Sequence, residues 1–179
     1  WELDIVSNRR TWSDEMFRMF EIGSTQFGAS YDAFLNAVHP NDRERVNQAY
    51  TQSLKTCTPY EIAHRLLMPD GRVKWVNERC ETFYDREGRA LRSSGTVQDI
   101  TARKQADTDL LLYANIFEHS GEAILISDSE NHIQSVNPAF TRMTGYRLED
   151  VQGKNPRMLA SGTTPPQTYQ KMWAALKQD

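Results

Sequence analysis

Hydrophobic positions change period several times along the chain, and each change marks an element. Residues 1–5 set Trp1, Leu3 and Ile5 against Glu2 and Asp4, a period of two that predicts a strand. Residues 7–10 read as a turn, and Thr11-Trp12 as a second short strand. Ser13 stands where a hydroxyl can accept from an orphan first-turn N–H. A helix is therefore expected behind it, with Met16, Phe17, Met19 and Phe20 on its apolar face. A loop rich in Gly, Ser and Thr covers 23–30. Tyr31, Phe34, Leu35 and Val38 return to helical spacing. His39-Pro40-Asn41-Asp42-Arg43-Glu44 marks another helix start. Asn41 and Glu44 have capping-box spacing, and His39 is expected to cap or brace the helix. Val46, Ala49, Tyr50 and Leu54 line its buried face.

Three strands are expected next, over 60–68, 72–84 and 89–100. Pro69-Asp70-Gly71 and residues 85–88 are hairpin turns, because glycine tolerates the positive φ that a tight turn needs. From 101 to about 119 the period becomes helical. Ala106, Leu110, Tyr113 and Phe117 are spaced four, three, four, a heptad-like seam shorter than a secure coiled coil requires. The first pattern then repeats, with strands over 123–127 and 132–136. Asn137 is placed to cap a helix that has Pro138 at its first position, with Phe140, Met143 and Tyr146 supplying apolar residues. Leu148 and Val151 begin a further short segment. A loop over 153–162 contains Asn155-Pro156. Thr164 and Gln167 have capping-box spacing ahead of a helix striped by Tyr169, Met172, Trp173 and Leu176. The repeat lacks the last three strands of the first pattern. Two strands alone are marginal in water and leave an open edge. The second unit is therefore expected to be completed by strands outside 1–179, to be swapped between chains, or to be poorly ordered.

Composition narrows the function. Of 179 residues, 39% are hydrophobic and 25% charged, the balance of a soluble globular protein. A net charge of −3 with no basic stripe argues against nucleic acid as a partner. No apolar run approaches the roughly 20 residues that span a bilayer, so no direct membrane contact is expected. The start of the chain lacks the basic and apolar regions of a signal peptide. The chain reads as a piece of a longer cytoplasmic protein. Cys57 and Cys80 form no CxxC pair, and His39, His64, His119 and His132 have no metal-ligand spacing, which excludes a recognisable zinc or disulfide framework. His64, flanked on its face by Ile62 and Leu66, reads as a core or surface histidine and not as a haem ligand. Cys80 reads as structural. No nucleophile–base arrangement, carboxylate pair or phosphate-cradling loop is present, so no catalytic residue is assigned.

Several motifs in order resemble the PAS sensor family. In the first unit these are His39-Pro40-Asn41-Asp42-Arg43, Pro69-Asp70-Gly71, Val73-Lys74-Trp75-Val76, and Gly95-Thr96-Val97-Gln98-Asp99-Ile100-Thr101 followed by Arg103-Lys104. In the second they are Phe117-Glu118-His119-Ser120, Ile124-Leu125-Ile126-Ser127-Asp128, Asn137-Pro138-Ala139-Phe140, Thr144-Gly145-Tyr146, Gly153-Lys154-Asn155-Pro156-Arg157, and the Tyr169, Met172, Trp173 set. The resemblance implies an α+β fold, a five-stranded antiparallel sheet with helices on one face. It divides the chain into a PAS domain over 1–101, a signalling linker helix over 102–119 and the N-terminal part of a second PAS domain over 120–179.

The same resemblance implies a sensory segment that relays a change through Asp99, Ile100 and Thr101 into the linker helix. Asp99 and Thr101 also suit an ordinary helix cap, and the two roles are compatible. Ala106, Leu110, Tyr113 and Phe117 are expected to form a homodimer seam, or to pack on their own domain. The output is expected from a downstream domain in the same chain, of diguanylate cyclase, cyclic-di-GMP phosphodiesterase or histidine kinase type. The segment itself is not expected to be an enzyme. Residues 153–159 resemble flavin-contacting PAS segments, including that of the redox-sensing regulator of nitrogen fixation. By that resemblance Asn155 and Trp173 would contact FAD, and Pro156, standing where light-oxygen-voltage domains place a reactive cysteine, excludes cysteinyl-flavin chemistry. Asn155 as a turn cap, Trp173 as core and a ligand-free dimerisation scaffold are the competing expectations.

Overall fold

Alternating apolar and polar residues give each strand of the first unit one inward face, and strand pairing brings those faces together. β1 (Glu2–Asp4) and β2 (Arg9–Thr11) form a tight hairpin with Leu3 opposite Arg10. β3 (Tyr60–Leu67), β4 (Val73–Tyr84) and β5 (Ala90–Asp99) follow the helices and complete an antiparallel sheet of order β2-β1-β5-β4-β3. The structure, a computed structural model, describes residues 1–22 and 31–176. The expected loop over 23–30 lies outside the described residues. β2 begins at Arg9 and not at Thr11, because Asn8 adopts a left-handed φ of 53° and closes the turn early. At the 69–71 turn, Gly71 has φ +87° and its N–H donates to the Met68 carbonyl at 2.9 Å. Gly95 is fixed by crowding instead: a Cβ there would press into the Arg79 carbonyl and the Trp1 ring.

Three helices pack on the sheet. α1 (Asp14–Phe20) is capped as the sequence predicts, with the Met16 N–H donating to Ser13 Oγ at 3.4 Å. α2 (Tyr31–Ala37) leads into α3 (Pro40–Thr56). α3 begins one residue before the capping box read at Asn41. Pro40 takes the first helical position, where its missing N–H costs nothing, and His39 Nδ1 accepts from the Asn41 N–H at 3.3 Å. Glu44 accepts from Gln48 and does not reach back to a cap. Trp12, Met16, Phe20, Phe34, Val38, Val46, Leu66, Met68 and Val76 form the main core, with Leu3, Tyr50 and Cys80 beside it.

The edge of the sheet at β3 is stitched rather than left open. Val38 pairs with Leu66, and the His39 N–H donates to the Arg65 carbonyl at 2.8 Å. Asp42 accepts from the Arg65 N–H and Nε at 2.9 Å and from Nη2 at 2.7 Å. Arg45 reaches the Ala63 carbonyl. An unpaired strand edge is a template for foreign strands, and this set of contacts covers it.

Backbone contacts divide the chain at Thr108/Asp109, inside α4 (Thr101–His119). In the second unit β6 (Leu125–Ser127) pairs antiparallel with β7 (Ile133–Val136). α5 (Pro138–Thr144), α6 (Leu148–Val151), a 3-10 turn (Pro156–Leu159) and α7 (Pro166–Leu176) follow. Ile133, Phe140 and Val151 form its core. Asn137, fully buried, holds this unit together. Its Oδ1 accepts from the N–H groups of Phe140 and Ile124, both at 2.9 Å, and its Nδ2 donates to the carbonyls of Phe117 and Glu122. Every polar valence of that amide is used. The Thr164–Gln167 capping box gives way to a backbone bond from the Thr168 N–H to the Pro165 carbonyl at 3.0 Å.

Candidate functional site

Three places on the two units carry the residues singled out by sequence, and a fourth holds buried charges that no sequence signal marked. The first is the β5–α4 junction. The Asp99 carboxylate accepts from the Thr101 N–H at 2.8 Å, satisfying an orphan donor of the helix start. The Thr101 hydroxyl oxygen accepts from the Trp75 N–H at 2.9 Å, and the Ile100 N–H donates to the Trp75 carbonyl at 2.8 Å. The Lys104 N–H then donates to the Ile100 carbonyl and continues the helix. Ile100 and Thr101 are thus held on one residue of the neighbouring strand, Trp75, while Asp99 pairs with Val76 and caps the helix start. Trp75 itself lies under two cations, with Arg65 5.6 Å and Lys104 5.5 Å from its ring. Sequence reading quoted Trp75 within a motif but gave it no role. Register supplies it, since β4 pairs Val76 with Asp99 and so puts Trp75 beside the chain that leaves the sheet.

The second place is the outer surface of α4. None of its residues is buried. Leu110 and Tyr113 of the expected seam are 67% and 65% exposed, and Ala106 is exposed too, whereas Phe117 is half-buried. Leu111, Leu112 and Ile116 add further exposed apolar area outside that seam. Apolar residues at this density leave the helix with exposed apolar area that its own chain does not cover.

The third is an open concavity of about 1340 Å³ in the second unit. Leu125 and Asn131 line one part of it, Asn155, Pro156 and Leu159 another, and Tyr169 and Met172 of α7 a third. Asn155 lies where a ligand could meet it, and its Oδ1 also accepts from the Arg157 N–H at 3.0 Å, capping the 3-10 turn. Its amide nitrogen makes no hydrogen bond among the described residues. Asn155 is exposed, so this one free donor is compatible with the edge of a planar heterocycle such as a flavin ring, and Pro156 follows it in the chain. The side chain of Trp173 lies outside the described residues.

The fourth place was not found by sequence reading. Arg10 and Glu78 form an ion pair at 3.6 Å, with side chains 1% and 0% exposed. The Arg10 guanidinium lies 4.2 Å from the Trp1 ring and 4.1 Å from the Phe34 ring. Burial pushes the Glu78 carboxyl up to about 7, against the pull of Arg10. Burial also brings His64 down to about 4 and raises the Cys80 thiol to about 11, so His64 is a neutral core residue and Cys80 an unreactive thiol. No group of three or more His, Cys, Asp or Glu side chains suited to a metal ion occurs among the described residues. No described helix is long and apolar enough to cross a membrane.

Comparison with known proteins agrees with this architecture. Two family models, both described as PAS fold, match residues 9–97 and 111–179. The sensor protein FixL of Bradyrhizobium diazoefficiens is 28% identical over 163 residues, 89% of this chain and 32% of the relative. The probable diguanylate cyclase DgcE of Escherichia coli is 25% identical over 158 residues, 86% of this chain and 14% of the relative. A nitrogen fixation regulatory protein of Klebsiella pneumoniae is 43% identical over 67 residues, 37% of this chain and 14% of the relative. The chain therefore spans about a third or less of the length of these relatives. Among solved structures, a sensory box histidine kinase/response regulator from Burkholderia thailandensis superposes with a TM-score of 0.55 at 20% identity, covering 64% of this chain and 86% of that one. That likeness is one of fold, and it matches the five-stranded sheet with helices on one face. With two matches in tandem and this sheet order, the chain belongs to the PAS-fold family.

Proposed function

We propose that residues 1–179 are the sensory segment of a bacterial signal-transduction protein of the cytoplasm. The segment does no chemistry itself. It relays a change in the first unit through Asp99, Ile100 and Thr101 into α4, and onward to an output domain in the same chain. That domain is a diguanylate cyclase or cyclic-di-GMP phosphodiesterase, with a histidine kinase as the alternative. A relative named as a probable diguanylate cyclase supports the cyclase, and one named as a sensor protein supports the sensory role. The observation that carries the relay is the double hold on Trp75. The Thr101 hydroxyl and the Ile100 N–H engage both backbone polar groups of one residue in β4. A shift of β4 along its pairing with β5 therefore pulls on the first turn of the helix. α4 pairs with its copy through Ala106, Leu110, Tyr113 and Phe117, so that the pull alters a two-helix seam.

Hydrogen exchange of the α4 amides tests the relay. Thr101→Val keeps the shape and removes the acceptor of the Trp75 N–H. Loss of that bond costs on the order of 1–2 kcal/mol, so amides of the first two turns should exchange about tenfold faster while the second unit stays unchanged. Equal exchange in parent and variant would show that the junction is only a helix cap.

A second reading concerns the concavity of the second unit. Its size and the unused amide nitrogen of Asn155 suit a flavin, with Trp173 as an aromatic wall, and this unit then senses redox state. Bound FAD would supply the redox chemistry. The role of Asn155 would be to donate to the ring edge.

A further inference from the structure

Buried charges without full hydrogen bonding need a physical account, and the first unit concentrates them in one place. Arg10 comes from β2 and Glu78 from β4, 68 residues apart in sequence and separated in the sheet by β1 and β5. The hairpin of β1 and β2 turns Arg10 inward, and the alternation of β4 turns Glu78 inward between buried Val76 and Cys80. Their closest approach of 3.6 Å is a Coulombic contact and not a hydrogen bond. Neither Glu78 oxygen, nor Arg10 Nε or Nη1, has a hydrogen-bond partner among the described residues, and all four atoms are buried. Trp1 and Phe34 sandwich the guanidinium, which holds it in place without giving it an acceptor. A buried pair with this geometry recovers little of its desolvation cost.

We propose that the Arg10–Glu78 pair is a proton-responsive element of the first unit, switching between an ion pair and a neutral carboxyl beside a lone guanidinium. This rests on the sensory reading above and names its input as proton activity. A proton taken from solvent by a Glu78 oxygen removes the charge that faces Arg10, and its release restores the pair. Glu78 stands three residues from Trp75 on the same strand, so the change originates on the element that holds the α4 junction.

The other groups around Glu78 leave it as the side chain that titrates. Tyr60 faces it from β3, Cys80 from its own strand, Tyr31 from α2 and Tyr50 from α3, and His64 lies further along β3 opposite Val76. Burial raises the three tyrosines and holds Cys80 near 11, so they stay neutral, and His64 near 4 stays neutral as well. The sign follows from a folded carboxyl raised from 4.5 to about 7. The group's contribution to stability is complete below 4.5 and is lost as pH rises through about 7.

The test is a pH titration of tryptophan fluorescence from pH 5 to 9, with Trp1 and Trp12 flanking Arg10 as reporters. The parent should show a reversible transition centred near 7, and its folding constant should fall on the order of a hundredfold across the range. Glu78→Gln keeps the shape, cannot titrate and should abolish the transition. A flat parent profile, or a transition that persists in Glu78→Gln, overturns the proposal. If Glu78→Gln does not fold, the Glu78 side-chain carboxyl ¹³C shift of the parent decides: a midpoint near 7 supports the proposal, and one below about 5 overturns it. A titrating Glu78 with no effect of Thr101→Val on helix exchange counts against the relay alone, and a silent Glu78 with an intact relay counts against this proposal alone.

Discussion

Replacing Asp42 by alanine should unfold the first unit at markedly lower temperature, and the structure sets how much. The carboxylate is 8% exposed and accepts three hydrogen bonds from Arg65, one from the backbone N–H and two from the guanidinium. Arg45 adds a looser contact at 3.9 Å. The alanine leaves the Arg65 N–H without an acceptor at the β3 edge, costing about 1–3 kcal/mol. The Arg65 side chain is 29% exposed, so water recovers part of the two charged bonds and the further loss is about 1 kcal/mol. The sum is about 2–4 kcal/mol. For a unit of 108 residues this lowers Tm by roughly 10–25 °C. Thermal unfolding read by fluorescence in a Trp173→Phe background isolates the first unit, which holds Trp1, Trp12 and Trp75. The pH dependence is part of the same prediction. Hydrogen bonds from Arg65 hold the Asp42 carboxyl below the ordinary value of 3.8. Its contribution is therefore complete above 3.8 and is lost as pH falls through the lower folded value. The gap between parent and variant should be full at pH 7 and shrink below pH 4. A loss under about 1 kcal/mol at pH 7, or a gap indifferent to pH, would refute the view that Asp42 seals the sheet edge.

Two further predictions concern the second unit and the helix before it. Leu110→Asp should convert a dimer to a monomer in sedimentation velocity, because it places a charge in the middle of the expected seam. Identical sedimentation of parent and variant would move the interface elsewhere, with Leu111, Leu112 and Ile116 as the next surface. The purified protein should absorb in the blue if FAD occupies the concavity, and Asn155→Ala should weaken retention of the chromophore. A colourless preparation removes the flavin reading and leaves the relay untouched.

Much of the fold was legible because it is encoded locally. The alternation over 72–84, the glycine at 71, the cap at Ser13 and the Asn137-Pro138 helix start each depend on neighbours within a few residues. The structure reproduces them within about two residues. The errors were also local in kind. The spacing of Asn41 to Glu44 fits a capping box, but Pro40 starts the helix first. Arg9 and Arg10 look like turn residues, whereas Asn8 closes the turn, starts β2 at Arg9 and sends Arg10 inward.

What the sequence by itself determined is the order of elements, the tandem repeat of one sensor pattern and the helix that joins the two. Strand order and register decided the rest. They place Trp75 beside Thr101, Asp42 on Arg65 and Arg10 against Glu78. Each of these pairs joins residues at least 23 positions apart, and no periodicity or cap signal reaches that far. The physical reason is that hydrophobic patterning says which face of a strand is buried, but not which distant charge will be buried against it. Only the pairing of β1 with both β2 and β5 carries Arg10 over the sheet to Glu78.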